Sequence, residues 1–292
     1  MTPVEINIET DIKRILKEHY DLEAVTAEAV HGTLYRVRSK PSGPYYIIKL
    51  HRIQGRDSLP VLSRIYQLAG EKGFSPKMVS TRNGDTIGST KGVYFSLQEY
   101  MPGRLMEESD TALLPQRLAA LHRLLCNNGP VSIVNHFFSL IPDLFEACRH
   151  YGYNNLLPII ADVEDYCKLH SPQVIHGDLH PGNILYYQNR IMFIDFDSAT
   201  TLPVSMDVAF CAFRCLDGNA HAMTHFVENY NRSNPPSMVA GDRIWEQLAY
   251  LILQRILFIR IEQDKGNEQW LSDLENQHAY LNRVLAVLHR DD

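Results

Sequence analysis

Apolar residues recur at two different periods along the chain, and the change of period divides it. Up to about residue 100 the apolar runs are short. Glu28–Val37 alternates weakly around Gly32 and ends in Leu34-Tyr35-Arg36-Val37, and Tyr45–Leu50 is rich in β-formers. The turn-forming Pro41-Ser42-Gly43-Pro44 lies between them, so Val30–Val37 and Tyr45–Leu50 are expected to form a hairpin. Leu59, Leu62, Ile65 and Leu68 have helical spacing, and Gly73 closes a helix over Ser58–Lys72. A shorter helix is expected over Asp11–Glu18, with short strands over Lys77–Val79, Gly84–Ile87 and Gly92–Gln98. Pro102-Gly103, just after Leu97-Gln98-Glu99-Tyr100, marks a boundary. Beyond it the helical period dominates, over Pro115–Cys126, Leu140–Tyr151, Leu157–Leu169, Val208–Cys215, Ala220–Asn231, Arg243–Gln263 and Glu268–Leu288. One island of strand interrupts, Ile184–Tyr187 and Ile191–Ile194 around Gln188-Asn189-Arg190. The expected fold class is α+β, with a β-rich N-lobe over residues 1–100 and a mainly helical C-lobe over 101–292.

Composition narrows the function classes. With 45% hydrophobic and 21% charged residues the chain can build a core, which excludes general disorder. A net charge of −6 weighs against a nucleic-acid backbone as the main partner. No apolar run is long enough to span a bilayer, and Met1–Asp11 lacks the apolar core of a signal peptide. Cys126, Cys148, Cys167, Cys211 and Cys215 form no CxxC pair and read as reduced thiols. The expectation is a cytoplasmic protein with no membrane partner, monomeric or homodimeric.

The chemistry concentrates in His176-Gly177-Asp178-Leu179-His180-Pro181-Gly182-Asn183, followed after the predicted hairpin by Ile194-Asp195-Phe196-Asp197. Gly177, Pro181 and Gly182 make the first segment a loop. Asp178 and Asn183 can therefore aim at one spot, and the hairpin runs out and back to return Asp195 towards them. Asn183 and Asp195 are hard oxygen donors suited to Mg²⁺, which takes its other ligands from water and substrate phosphates. Asp178 is then free to orient a nucleophile and accept its proton, the division of labour found in phosphoryl transfer. The spacing D-x₄-N-x₁₁-D matches the catalytic loop and metal aspartate of kinase-like folds. A zinc site of His176, Asp178 and His180 would need a helix to face both rings one way, and the loop residues oppose one.

His176–Asn183 followed by Phe193–Asp197 resembles the aminoglycoside phosphotransferase / choline kinase family, a branch of the protein-kinase-like fold. The resemblance runs from about Val30 to Asp207. It implies ATP-dependent transfer of the γ-phosphoryl group to a hydroxyl, with Asp178 as base and Asn183 and Asp195 on Mg²⁺. Asp207-Val208-Ala209-Phe210 fits the family's later aspartate, whose implied role is to brace the catalytic loop without touching ATP. Leu118-Ala119-Ala120-Leu121-His122 resembles a family helix and reads simply as packing. Lys49, an ammonium in the apolar run Tyr46–Leu50, would be costly to bury without a partner. Taken alone it also suits an edge strand whose lysine head stays in water. In the kinase-like reading it holds the α- and β-phosphates, Gly32 and Thr33 lie in the loop over the phosphates, and Gln98-Glu99-Tyr100 is the hinge that meets the adenine edge.

Three departures stand out. Active kinases pair the strand lysine with a glutamate of the next helix. Here the helix Ser58–Lys72 has no carboxylate before Glu71, and Asp57 only precedes it. The third residue of the metal motif is Asp197 rather than glycine, which resembles the small-molecule branch more than the protein kinases. Gly177 also stands where protein kinases carry an arginine, which argues against control by activation-loop phosphorylation.

The acceptor is expected between the catalytic loop and the C-terminal helices. Those helices carry Asp217, Glu228, Asp242, Glu246, Glu262, Asp264, Glu268, Asp273 and Glu275, with Trp245, Tyr250 and Trp270. Carboxylates there would receive an amine, and aromatics would box a choline-like ammonium, though any one acidic residue reads first as a solvated helix face. The expected partner is a small, cationic, hydroxyl-bearing molecule, an aminoglycoside-like antibiotic (hence a resistance role) or a choline-like metabolite. A bacterial-type Ser/Thr protein kinase and a silent nucleotide-binding scaffold, suggested by the missing helix glutamate, stay open as alternatives.

Overall fold

Thr26–His31 (β1), Leu34–Arg38 (β2) and Tyr45–His51 (β3) are successive antiparallel strands in the computed structural model of the chain. The structure describes residues 8–24, 26–51, 59–129, 143–170, 172–268 and 270–289. Asp57, the first residues of the expected helices at Ser58 and Leu140, and Gln269 lie outside these. The single strand expected over Val30–Val37 is two strands. Gly32 takes φ +53°, a left-handed conformation open to glycine, and the chain reverses at Gly32-Thr33.

The helix Leu59–Glu71 (α2) separates these strands from Met78–Val79 (β4), Ile87–Thr90 (β5) and Val93–Glu99 (β6). β6 is the organising strand. It pairs with β3 along one edge, and along the other with β5 and then β4. All pairings in this six-stranded sheet are antiparallel. The helix Ile8–Tyr20 (α1) presents Ile12, Ile15, Leu16 and Tyr20, positions one turn apart, and they share a core with Tyr35, Val37, Ile48, Phe95 and Leu97. α1 is longer than the Asp11–Glu18 expected because Tyr20 continues its apolar stripe. Glu9 and Asp11 near its start and Lys17 and His19 near its end also suit the helix dipole.

After Arg104–Leu105 (β7) come the helices Leu114–Asn128 (α3), Leu144–His150 (α4) and Leu157–Leu169 (α5). Gln173–Ile175 (β8) pairs antiparallel with Thr200–Leu202 (β11). Between them, Ile184–Tyr187 (β9) and Arg190–Phe193 (β10) form the expected hairpin. Its turn is tighter than the three residues expected. Gln188 and Asn189 both take positive φ, 48° and 59°, as a two-residue turn with the twist of its strands requires. The helices Val204–Cys215 (α6), Ala220–Ser233 (α7), Ile244–Asp264 (α8) and Leu271–Leu288 (α9) follow. α8 is apolar almost all round and packs against α4, α5, α6 and α9, as a central helix must. Among the described residues no helix is long and apolar enough to cross a membrane, and all five cysteines are free thiols.

The chain forms two compact units: Met1–Arg104 with Tyr186–Asp197, and Leu105–Leu185 with Ser198–Asp292. The segment that carries Asp195 and Asp197 thus belongs with the β-rich unit, although it lies far along the sequence.

Phe95 is fully buried at the centre of the first unit, its ring edge-on to His19 and Tyr20 at 4.8 and 6.1 Å. Phe95→Ala is expected to cost about 3–5 kcal/mol, read as a lower urea midpoint. A loss below about 1 kcal/mol would mean that this core does not hold the unit together.

Candidate active site

In the first unit, Lys49 and His51 stand two residues apart on β3 and so share a face. Lys49 Nζ lies 2.5 Å from Asp195 Oδ1 and 2.9 Å from Asp197 Oδ2. His51 Nδ1 lies 2.9 Å from Asp197 Oδ1, and its Nε2 lies 2.8 Å from Ser96 Oγ on β6. With a carboxylate on one side, the imidazole donates through Nδ1 and accepts the serine hydroxyl at Nε2. Tyr66 reaches across from α2, donating its hydroxyl to Asp197 Oδ1 at 2.8 Å and accepting the Phe196 amide at 3.1 Å. Asp197 is thus held by an ammonium, an imidazole and a phenol. Burial alone would raise its pKa, but Lys49 and His51 outweigh burial and hold it well below the usual carboxylate range. Burial opposes the charge on Lys49 too, and Asp197 and Asp195 prevail and raise its pKa above the ordinary value.

This answers the first departure from the kinase pattern. Lys49 has carboxylate partners, and they come from the Asp195-Phe196-Asp197 segment. α2 contributes a tyrosine that fixes Asp197 where a kinase helix would contribute a glutamate. His51 and Tyr66 were missed in the sequence; the available signal was a histidine in step with Lys49 on one strand. Asp195 takes φ +66°, and its contacts among the described residues run through Oδ1, to Lys49 and the Asp197 amide.

Thr33, beside Gly32 in the turn, accepts the amide of Leu50 at 3.0 Å, which ties the turn to the lysine strand. Gln98 lies near the end of β6, opposite Ile47 and Met78. The Tyr100 amide is committed to the Tyr45 carbonyl at 3.2 Å and that of Glu99 to Lys77 at 2.9 Å. What Glu99 and Tyr100 can offer an adenine is therefore their carbonyl oxygens rather than these amides.

In the second unit, Asp207 on α6 is fully buried and holds the loop before Asp178. Its two oxygens accept the amides of His176 and Gly177, each at 2.9 Å, and Oδ2 lies 3.1 Å from His122 Nε2. His122 Nδ1 lies 2.7 Å from the Tyr230 hydroxyl, which accepts an amide hydrogen of Asn234 at 2.9 Å. Burial opposes the Asp207 charge, but His122, His176 and the Gly177 amide lower its pKa below the usual range. His122, read from sequence as packing, is therefore the far side of the loop's anchor. Gly177 takes φ +81°, and a Cβ there would run into the Ser198 carbonyl oxygen. An arginine cannot occupy this position without moving the loop.

Asp178 follows, with its carboxylate half-exposed. Asn183 is buried and donates its side-chain amide to the Asp178 carbonyl at 2.9 Å and carboxylate at 3.3 Å, which leaves its amide oxygen unspent among the described residues. His176 Nδ1 accepts the Asp178 amide at 3.4 Å, and His180 Nδ1 accepts that of Gly182 at 3.1 Å. Both rings thus serve the loop backbone. No cluster of three or more His, Cys, Asp or Glu could hold a metal ion among the described residues.

Asp178 lines a cavity of about 240 Å³ within this unit, together with Phe210 and Arg214 of α6, Arg255 of α8, and Asp273 and Gln277 of α9. Arg255 Nε lies 3.3 Å from Asp273, which also accepts Gln277 at 3.1 Å. Of the nine carboxylates considered for the acceptor, Asp273 alone lines this cavity among the described residues. Asp217, Glu246, Glu262 and Asp264 pair instead with Arg283, Arg243, Lys265 and Tyr151. The two arginines were not anticipated, because nothing in a helical period marks a cation as inward-facing.

The phosphotransferase enzyme family matches residues 27–240, well over half of the chain. The chain belongs to this family. A homoserine kinase of Nitrobacter winogradskyi is 30% identical over 63% of this chain, and the chain spans about 60% of that relative's length. Among solved structures, a spectinomycin phosphotransferase in complex with ADP and spectinomycin superposes with a TM-score of 0.67 at 15% identity, over 97% of this chain and 98% of that one. A choline kinase from Streptococcus pneumoniae gives 0.68 at 14% identity, over 95% and 98%. The likeness to these structures is one of fold, and it is the α+β, protein-kinase-like fold expected.

Because the pKa of Asp207 is lowered on folding, its stabilisation is complete above the ordinary range near pH 4 and drains away as the pH falls from there through the lowered value. Urea unfolding of wild type and Asp207→Asn should therefore show a wide gap at pH 6, on the order of 3 kcal/mol, that narrows as the pH drops below 4. A gap independent of pH would contradict the ionised, loop-holding carboxylate.

Proposed function

We propose that the protein is an ATP-dependent kinase that phosphorylates the hydroxyl of a small molecule bound in the second unit. The observation that carries this is Asp178: a half-exposed carboxylate on the wall of a small cavity, on a loop fixed by a buried aspartate. Asp178 orients the acceptor hydroxyl and accepts its proton as the oxygen attacks the γ-phosphorus. The bond from that phosphorus to the β–γ bridging oxygen breaks, and ADP leaves. Lys49, with its charge sustained by Asp197 and Asp195, neutralises the α- and β-phosphates. Gly32 and Thr33 cover the phosphates, and the Gln98–Tyr100 segment meets the adenine through its carbonyls.

Mg²⁺ suits the donors available. The Asn183 amide oxygen and Asp195 Oδ2 are both hard oxygens, and neither is spent on a hydrogen bond among the described residues. When bound, the ion would offset the charge that develops on the phosphate oxygens. These residues are assigned by the family pattern carried by Asp178, Asn183 and Asp195.

A volume of about 240 Å³ suits a metabolite better than a multi-ring antibiotic, since the pockets that hold drug-sized ligands measure roughly 300–1,000 Å³. It also favours a small molecule over a polypeptide segment. The similarity to a homoserine kinase makes a hydroxylated amino acid the first acceptor to try. The silent-scaffold reading loses its motive, because Lys49 does not lack a carboxylate. A reducing cytosol, with ATP at hand, suits the free thiols.

The test is ADP release with MgATP and a panel of L-homoserine, choline and an aminoglycoside, with the phosphorylated product identified by mass spectrometry. Asp178→Asn and Asp195→Ala are each expected to lower kcat by about 10³-fold or more. Rates close to wild type in Asp195→Ala, or no phosphorylated product from any acceptor, would count against a kinase.

A further inference from the structure

Arg214 is the unusual member of the acceptor cavity. It lies near the end of α6, eight residues after Met206 and four after Phe210, so these three line one helix face along the cavity. Its guanidinium carbon lies over the Tyr280 ring, 5.0 Å from the centroid, and over the Phe210 ring at 5.7 Å. The rings attract the charge without accepting conventional hydrogen bonds, so the five N–H donors of the planar fork stay available. Among the described residues no carboxylate pairs with Arg214 and no oxygen accepts a hydrogen bond from it. The other cavity arginine is different: Arg255 is paired with Asp273 and lies over Trp270 at 5.2 Å.

The charges of the cavity make the same point. Asp207 is consumed by the loop, and Asp273 is matched by Arg255. That leaves one carboxylate, Asp178, committed to the hydroxyl in the proposed chemistry, and one cation, Arg214, with nothing to bind. A planar fork beside two aromatic rings, its donors unspent among the described residues, suits a carboxylate, which it can meet with two parallel hydrogen bonds. A purely cationic acceptor would leave Arg214 unmatched and would be repelled by it.

We propose that Arg214 is the specificity residue of the acceptor site and binds a carboxylate carried by the acceptor, so that the substrate class is the hydroxy acids, amino acids with a side-chain hydroxyl among them. This rests on the kinase reading above. It departs from the cationic acceptor expected from the sequence, since the acceptor need not carry a net positive charge.

The experiment uses a matched pair: L-homoserine and 3-aminopropan-1-ol, which is the same molecule without its carboxylate. Binding of each is measured by calorimetry in the presence of AMP-PNP and Mg²⁺, for wild type, Arg214→Gln and Arg214→Lys, with thermal melting to confirm that each variant is folded. Wild type should bind homoserine about 10- to 100-fold more tightly than the amino alcohol, the range for a hydrogen-bonded charge. Arg214→Gln should erase that ratio, and Arg214→Lys should keep part of it, because a point charge cannot reproduce the fork. Equal affinities in wild type, no binding of homoserine, or a ratio that persists in Arg214→Gln would overturn the inference. If Arg214→Gln does not fold, the lysine variant decides: a ratio unchanged from wild type overturns the proposal, and a reduced one supports it. Binding of AMP-PNP, measured alongside, separates the two readings. The carboxylate proposal can fail while Mg²⁺-dependent nucleotide binding persists, whereas loss of that binding in wild type removes the kinase reading itself.

Discussion

A carboxylate taken out of water must be repaid with partners or it gives up its charge, and each unit of this protein is arranged around one such group. In the first unit it is Asp197, surrounded by Lys49, His51 and Tyr66. In the second it is Asp207, which gathers two loop amides and the His122 imidazole. Neither group is expected to touch a reacting atom. Each converts the cost of its own burial into a fixed position for a neighbour: Lys49 and Asp195 in one case, Asp178 in the other.

The two arrangements differ in what they fix. Around Asp207 the partners are mainly main-chain amides, so the carboxylate holds a backbone shape. That shape includes a residue at φ +81° with no room for a Cβ, which is why the position is a glycine and carries no activating arginine. Around Asp197 the partners are side chains from β3 and α2, so the carboxylate holds a charge pattern. Lys49 stays cationic because two carboxylates outweigh its burial. A helix glutamate is not needed for that.

In the proposed function, the second unit adapts a shared fold to its own acceptor. The loop with Asp178 and Asn183 follows the family pattern. The helices beside it contribute two arginines and one carboxylate, and among the described residues only one of the arginines has a carboxylate partner. Helix faces are free to change sign in this way, because exchanging an inward-facing side chain leaves the backbone and the catalytic loop undisturbed.

The sequence by itself determined the α+β class, most helix boundaries to within a few residues, and the identity of the loop residues that carry the proposed chemistry. Apolar period depends on which face of an element is buried, and loop chemistry depends on glycine, proline and short spacings, so both are local and can be read one segment at a time. It missed the short strands β7, β8 and β11, which have too few residues for a period, and it read β1 and β2 as one strand because a single glycine turn barely disturbs the alternation. It named neither His51, Tyr66 and His122 as partners nor Arg214 as facing a cavity. Those were decided by the tertiary structure alone: Lys49 and Asp195 are 146 residues apart, and His122 and Asp207 are 85 apart. A side chain's partner across such a distance is set by how elements pack, and packing selects among many polar residues that look alike in the chain.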